Sequence, residues 1–181
     1  MEDSIILEKY RNPATRDAGF TELVKKYQQR LYWHIRRMVV VHDDADDVLQ
    51  NVFIKTWKGL ENFREDSNLY TWLYRIATNE SLSFLKQQKK HTGLSVSEEE
   101  QVMLENKLKA DEHFDAAKLE WKLQLAINQL PEKQKLVFNL RYYDEMPYEE
   151  MSKVLETSVG ALKASYHHAA KKVEEYILRE S

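Results

Sequence analysis

Cysteine is absent from this chain of 181 residues, and glycine and proline are scarce, with 4 and 3 copies. The lack of cysteine excludes a disulfide framework, thiolate metal sites and a cysteine nucleophile. Sandwiches, barrels and doubly wound sheets need glycine, proline, asparagine or aspartate at many tight turns, and this chain supplies few of them. Hydrophobic residues make up 43% of the chain, which is enough to bury a core. The composition therefore predicts an all-α protein.

Charge of one sign does not dominate, because 27 lysines and arginines oppose 30 aspartates and glutamates, for a net charge of -3. A globally basic footprint is absent, so any nucleic-acid site must be local. No apolar run approaches the ~20 residues that span a bilayer, and the amino terminus is acidic where a signal peptide is basic. We expect a cytoplasmic protein without direct membrane insertion.

The charge is unevenly distributed along the chain. Residues 1–90 carry a net charge of +2, residues 91–120 a net charge of -5 and residues 121–181 a net charge of 0. The acidic stretch begins with threonine, glycine and serines and lacks a sustained apolar face. We therefore predict two small helical domains, over 1–91 and 117–181, joined by an acidic and partly helical linker over 92–116.

Three amphipathic helices are predicted in the first domain. The first has apolar residues at intervals of three and four from Phe20 to Met38. The second runs from about Asp44 to Glu61, and four aspartates at its start suit the positive end of a helix. Four acids exceed what one helix start needs, so a basic partner surface is an alternative to simple capping. The third helix runs from about Ser67 to Lys90.

The third helix has a core face and, beside it, a polar, aromatic and basic stripe. From Leu69 to Lys90 the helix has four basic residues and one acid, Glu80. Basic groups follow phosphates and aromatic rings stack on unpaired bases, so the stripe suits single-stranded nucleic acid. A packed tryptophan beside a solvated lysine end is the alternative. The stripe consists of Trp72, Arg75, Asn79, Ser83, Lys86 and Lys90.

The second domain has the pattern of a helix-turn-helix. A helix from Pro131 to about Tyr143, with the proline at its first position, precedes a short helix from Pro147 to Leu155. Ser158 is expected to cap a final helix from Val159 to about Leu178. A short helix, a tight turn and a longer helix form the arrangement that places the last helix in the major groove of DNA.

The final helix divides into two faces. Leu162, Tyr166, Ala169 and Val173 recur at core spacing, so the opposite side is expected to point outward. Small residues there permit close approach to the major groove, and lysine and histidine can donate to phosphates or base edges. A helical hairpin with a solvated face is the alternative. The outward positions are Gly160, Lys163, Ala164, His167 and Lys171.

The order of these motifs resembles a known family along nearly the whole chain. The motifs read DDADDVLQNVFIKTW, then FREDSNLYTWLYRIATNESLSFLKQQKK, then an acidic linker, LPEKQKLVFNLRYY and the helix-turn-helix. The chain is similar to bacterial RNA polymerase sigma factors of the extracytoplasmic-function group of the sigma-70 family. The resemblance implies that the first domain binds the polymerase clamp and melts the minus-ten promoter element. It also implies that the linker threads the polymerase and the second domain reads the minus-thirty-five element.

The resemblance assigns roles in the first domain residue by residue. Asn51 departs from the acid usual at its position. The residues matched to polymerase binding are Asp44, Asp47, Gln50, Asn51 and Trp57. The residues matched to the minus-ten element, in a loop that captures a flipped base and in the helix that follows, are Phe63, Arg64, Glu65, Asp66, Ser67, Asn68, Trp72, Arg75, Asn79, Lys86, Lys89 and Lys90.

In the second domain the resemblance is accompanied by departures. Glu156 stands where the family often has glycine, and a left-handed residue there costs roughly 1 kcal/mol if the turn keeps that conformation. Ser165 and His168 replace bases that are frequent in the family, which predicts a modest phosphate contribution. The residues matched to the minus-thirty-five element are Ser158, Gly160, Lys163, Ala164, His167 and Lys171. The implied partners are core RNA polymerase, promoter DNA and an anti-sigma factor.

Two other functions compete with this one. A helix-turn-helix regulator that acts without core polymerase would leave the aspartate cluster and the basic helix without a role. A helical adaptor with no DNA role would bind polymerase or another protein without promoter preference. The sequence has no catalytic or phosphate-loop motif and no Glu-x-x-His pair. We therefore expect no enzymatic activity, no cofactor and no metal site.

Overall fold

The computed structural model describes residues 1–92 and 118–179. Within those ranges it contains eight α-helices, one short 3-10 helix and no strand, which confirms the prediction of an all-α protein. The chain forms two compact units, Met1–Gln87 and Gln88–Ser181. The predicted linker over 92–116, with its partly helical character, lies outside the described residues except for its first position.

The first unit begins with a helix that the sequence did not predict, followed by the three that it did. Their boundaries differ from the predicted ones by a few residues, as is usual at helix ends. The elements are α1 (Asp3–Arg11), α2 (Arg16–Val39), α3 (His42–Gly59), a 3-10 helix (Leu60–Asn62) and α4 (Leu69–Thr92), whose end from Gln88 onward is counted with the second unit.

The additional helix, α1, packs closely against α2. Ile6, Leu7 and Tyr10 of α1 are buried. Gly19 of α2 lies beneath the end of α1, where an added Cβ would be 2.6 Å from the backbone nitrogen of Tyr10. Since a real side chain cannot occupy that distance, the docking of α1 depends on glycine at this position.

The apolar stripe of α2 forms the centre of the first core. Its residues Leu23, Tyr27, Leu31 and Ile35 are buried at the predicted helical spacing. The facing helices supply their own buried residues, so the three predicted helices share one core. From α3 and α4 these residues are Val48, Val52, Leu73 and Ala77.

A polar pair crosses this core and joins α2 to α4. The Nε2 atom of His34 lies 2.9 Å from the hydroxyl oxygen of Thr78, and both residues are buried. Burial lowers the pKa of His34 to about 3, and the nearby charge of Arg37 acts in the same direction. The imidazole is therefore neutral at physiological pH.

The turn between α2 and α3 is a γ-turn in its strained form. Its central residue, Val40, has φ 71° and ψ -45°, and the N–H of Val41 donates to the carbonyl of Val39 at 2.9 Å. The fully buried Arg36 supports the turn, because its Nε donates to the Val40 carbonyl at 2.6 Å. Its guanidinium also donates to the Tyr32 hydroxyl at 2.8 Å.

The second unit has four described helices around an apolar core. Pro131 precedes its helix as the N-terminal flanking residue, so the prediction that it occupies the first helical position is wrong by one residue. One cluster of this core consists of Ala126, Ile127, Leu130, Phe138, Ala169 and Val173. The helices are α5 (Lys118–Asn128), α6 (Glu132–Tyr142), α7 (Tyr148–Leu155) and α8 (Val159–Arg179).

Helices α7 and α8 form the predicted helix-turn-helix. Glu156, which ends α7, is left-handed with φ 52° and ψ 43°. The Ser158 hydroxyl accepts the N–H of Ala161 at 3.2 Å, which confirms the predicted cap of α8. Among the described residues of the whole chain, none of the helices is apolar over a stretch that would cross a membrane.

Candidate nucleic-acid and protein interfaces

The outer face of α3 is acidic at its start and apolar further along. Asp47, Gln50 and Asn51 are exposed, and Ile54 and Trp57 on the same helix are 47% and 36% exposed. We call these five residues the α3 face. The fifth matched position, Asp44, is half-buried and takes part in an interaction. Sequence reasoning missed Ile54 as a member of this face, although its spacing of seven from Asp47 places both on one side of the helix.

Trp57 has both a packed edge and an exposed edge. Its ring meets Tyr10 edge-on at 5.5 Å between centroids and Phe20 at 5.0 Å. The Tyr10 hydroxyl donates to the Trp57 carbonyl at 2.7 Å. Trp57 therefore anchors α1 and α2 to α3 while part of its ring remains available at the surface.

The loop between the 3-10 helix and α4 has a packed floor and an exposed rim. Phe63 is buried and lies 5.1 Å from the Trp72 ring, which in turn packs over Gly59. These two matched aromatic residues therefore support the loop rather than project from it. The loop residues Arg64, Glu65, Asp66 and Asn68 are exposed, and Ser67 is half-buried.

The basic stripe of α4 lies on the surface as predicted, apart from the half-buried Trp72. Lys55 of α3 forms an ion pair with Glu80, the one acid between Leu69 and Lys90. This pairing neutralises that acid and leaves the stripe positively charged. The exposed members of the stripe and of the basic end of α4 are Arg75, Asn79, Ser83, Lys86, Lys89 and Lys90.

The outward face of α8 carries small residues and few cations. The two lysines, Lys163 and Lys171, are exposed, as predicted. Two cations approach the ring of Tyr148 of α7: Lys163, at 5.8 Å from its centroid, and Arg141 of α6, at 4.6 Å. The other matched positions on or before this helix are also exposed: Ser158, Gly160, Ala164 and His167.

Each of the two units matches a protein-family model. Residues 23–91 match the model described as Sigma-70 region 2, and residues 120–173 match Sigma-70, region 4. The chain is 30% identical to the RNA polymerase sigma-H factor of Pseudomonas aeruginosa, over 99% of this chain and 97% of that protein. The chain belongs to the sigma-70 family. This sigma factor is also 28% identical to the ECF RNA polymerase sigma-E factor of Escherichia coli K12, over 96% of this chain and 93% of the relative.

Solved structures show the same fold as this sigma factor. One is the structure of CnrH in complex with the cytosolic domain of CnrY, with a TM-score of 0.73, 22% identity and 99% of each chain covered. Another is the sigma factor RpoE in complex with the anti-sigma factor NepR from Bartonella quintana, with a TM-score of 0.69 and 19% identity. That match covers 87% of this chain and 96% of the other.

Membership of the extracytoplasmic-function group makes this protein a transcription initiation factor. Region 2 begins within α2 and includes α3 and α4, whereas region 4 covers most of α5 to α8. Helix α1 lies wholly ahead of the residues that match region 2.

Proposed function

We propose that this sigma factor binds the polymerase clamp through the α3 face and melts the minus-ten element with α4 and the loop before it. The observation that carries the proposal is that α3 and α4 present two chemically different surfaces. One surface is acidic and apolar, and the other is basic with a neutralised acid. The corresponding domains are 1–91 for these two roles, 92–116 for a linker through the polymerase and 117–181 for the minus-thirty-five element.

The α3 face suits a helical partner with basic side chains. Asp47 supplies charge, Gln50 and Asn51 supply hydrogen bonds, and Ile54 and Trp57 supply apolar area. Interfaces of this kind draw most of their affinity from a central apolar or aromatic anchor within a polar rim. Ile54 is therefore part of the proposed polymerase contact together with the five matched residues.

The minus-ten surface suits a strand whose bases have been separated. A flipped base needs an enclosing pocket, and its strand needs cations that follow the phosphates. The exposed rim of the loop stands over the Phe63 and Trp72 floor, and Asn79, Lys86 and Lys90 continue along α4. Asn79 is proposed to contact the base, and the lysines are proposed to contact the backbone.

The α8 face is proposed to read the minus-thirty-five element in the major groove. Gly160 and Ala164 permit close approach, while Lys163, His167 and Lys171 supply donors. The Ser158 hydroxyl already caps α8. At this position we therefore expect the backbone N–H groups of the helix N-terminus, rather than the hydroxyl, to face a phosphate. Few cations imply that specific binding depends on polymerase, unlike that of an autonomous helix-turn-helix regulator.

A regulatory partner is part of the proposal. Both solved structures named above are complexes, and one partner is described as an anti-sigma factor. An anti-sigma factor that covers the α3 face would prevent polymerase binding. No chemistry is assigned to the protein itself, which acts as a non-enzymatic factor.

Reconstituted transcription tests the proposal. Core polymerase with this protein is expected to produce transcripts from a random promoter library that core polymerase alone does not produce. The double variant Asn79→Ala and Lys86→Ala should lower promoter opening by about tenfold while polymerase binding is unchanged. A template with a pre-melted minus-ten element should restore its activity.

The control is Lys25→Ala, which alters an exposed lysine of α2 that is in an ion pair with Glu22 and belongs to neither surface. It should behave like the wild type in both assays. Equal loss of polymerase binding and opening in the double variant would show that the α4 stripe is structural. Absence of any transcript above that of core polymerase would overturn the proposal as a whole.

A further inference from the structure

The last residue of α1 reaches the loop before α4. The Nη2 atom of Arg11 donates to Oε1 of Glu65 at 2.7 Å. Glu65 is left-handed, with φ 60°, a conformation that side-chain-bearing residues rarely adopt. The loop is thus tied, at its most strained residue, to a helix 54 residues away in the sequence.

Helix α1 is itself firmly positioned. Its buried Tyr10 lies against Gly19 and donates its hydroxyl to the Trp57 carbonyl. Arg16, just after α1, pairs with Glu61 of the 3-10 helix and lies over the Tyr10 ring at 4.8 Å. Arg11 therefore extends from a fixed support on the same side of the unit as the loop.

The charge of Glu65 is unfavourable where a DNA strand is bound. A carboxylate near a phosphate repels it, and the arginine neutralises that charge while holding the side chain back. We infer that Arg11 is a positioning residue for promoter melting, which holds Glu65 and presents the 63–68 loop to the minus-ten strand. This inference rests on the proposed function of the loop and adds a role for α1, which lies ahead of the residues that match region 2.

The expected effect is modest because the pair is at the surface. The side chains of Arg11 and Glu65 are 53% and 51% exposed. Exposed ion pairs contribute little to folding, so Arg11→Gln should leave the melting temperature nearly unchanged. It should slow open-complex formation roughly two- to fivefold, since a loop that samples other conformations is less often competent to bind.

The experiment uses holoenzyme and the variants Arg11→Gln, Glu65→Gln and their combination. Because both single variants break the same contact, the double variant should open promoters no more slowly than the slower single one. Arg11→Lys should recover most of the rate. Lys26→Gln is the matched control, since Lys26 pairs with Asp3 at 2.6 Å at the other end of α1 and is remote from the loop in sequence.

A second measurement follows the free protein by amide hydrogen exchange. Arg11→Gln should speed exchange of the 63–68 amides, whereas Lys26→Gln should not. The inference would be overturned if the rate losses of the single variants added up in the double variant and the salt dependence of promoter binding fell by about one phosphate contact. Arg11 would then be a DNA ligand. If the wild type opens promoters and Arg11→Gln opens them at the same rate, the inference is also overturned. If the wild type opens no promoter, the proposed function is overturned instead.

Discussion

Two turns lead into the helices that carry the proposed polymerase and minus-thirty-five surfaces, and both contain a left-handed residue that is not glycine. In the first unit, Val40 is buried and in a γ-turn, and the buried Arg36 donates to its carbonyl at 2.6 Å. In the second unit, Glu156 is exposed and in the ordinary left-handed region. The first turn is thus supported by a buried charge, whereas the second lies at the surface.

The difference shows where this chain places its few glycines. Of the 4 in the sequence, the described ones are Gly19, Gly59 and Gly160, and all three lie within helices. Gly19 and Gly59 permit close contacts with Tyr10 and Trp72. Left-handed positions fall to other residues, and in the interior the strain is offset by a charge-assisted hydrogen bond. The orientation of α3 therefore depends on Arg36.

The largest expected effect comes from breaking the support in the first turn. Arg36→Met keeps the length of the side chain but removes the donors to the Val40 carbonyl and the Tyr32 hydroxyl. We expect a loss of about 3 kcal/mol in the free energy of unfolding, because buried acceptors would lack this donor. Urea denaturation measures the loss. Lys25→Met, which alters an exposed lysine of the same helix, should change stability by less than about 0.5 kcal/mol, and an equal loss in both variants would refute the dependence on Arg36.

Acidification to pH 5 should lower the free energy of unfolding of the first unit by about 2 kcal/mol through His34, a loss that the second unit does not share. The pKa of His34 is about 3 in the folded state, compared with 6.5 for an ordinary histidine. Below pH 6.5 the unfolded chain takes up a proton that the folded chain does not, so stability falls by about 1.4 kcal/mol per pH unit towards pH 3. The first unit, where this histidine is buried, should therefore lose more of its amide protection on acidification than α8 does.

The control for this titration is His34→Gln, which retains a polar group opposite Thr78 but has no proton to gain. Its stability should depend less on pH between 6.5 and 5 than that of the wild type, and the difference isolates the contribution of His34. An unchanged pH dependence in the variant would show that other groups cause the acid sensitivity.

Helical periodicity predicted much of the fold, for a simple reason. Where a helix packs along its whole length, as α2 does, burial repeats with the helix period, so Leu23, Tyr27 and Leu31 were identifiable in advance. Helix α1 escaped prediction because its buried residues, from Ile6 to Tyr10, span little more than one turn. Its position comes from the close contact at Gly19, which depends on tertiary packing.

The candidate sites were predictable to a smaller extent. The exposed stripe of α4 and the outward face of α8 followed from spacing, because their core faces were recognisable. Ile54 was missed although its spacing from Asp47 places both on one side of α3. The contact of Arg11 with Glu65 was inaccessible, because local patterns carry no information about two residues so far apart in the chain.

The smallest expected effect tests the surface turn with the residue that the family often has there. Glu156→Gly should stabilise the second unit by about 0.5 to 1 kcal/mol, because glycine adopts the left-handed conformation without strain. Glu156→Ala retains a Cβ and should give no such gain. In the interior turn the same change should have the opposite sign, since Val40→Gly relieves strain but removes a buried side chain worth about 1.5 to 3 kcal/mol. Urea denaturation measures both variants. If Glu156→Gly and Val40→Gly raised the free energy of unfolding equally, the packing around the buried turn would contribute no more than that around the exposed turn.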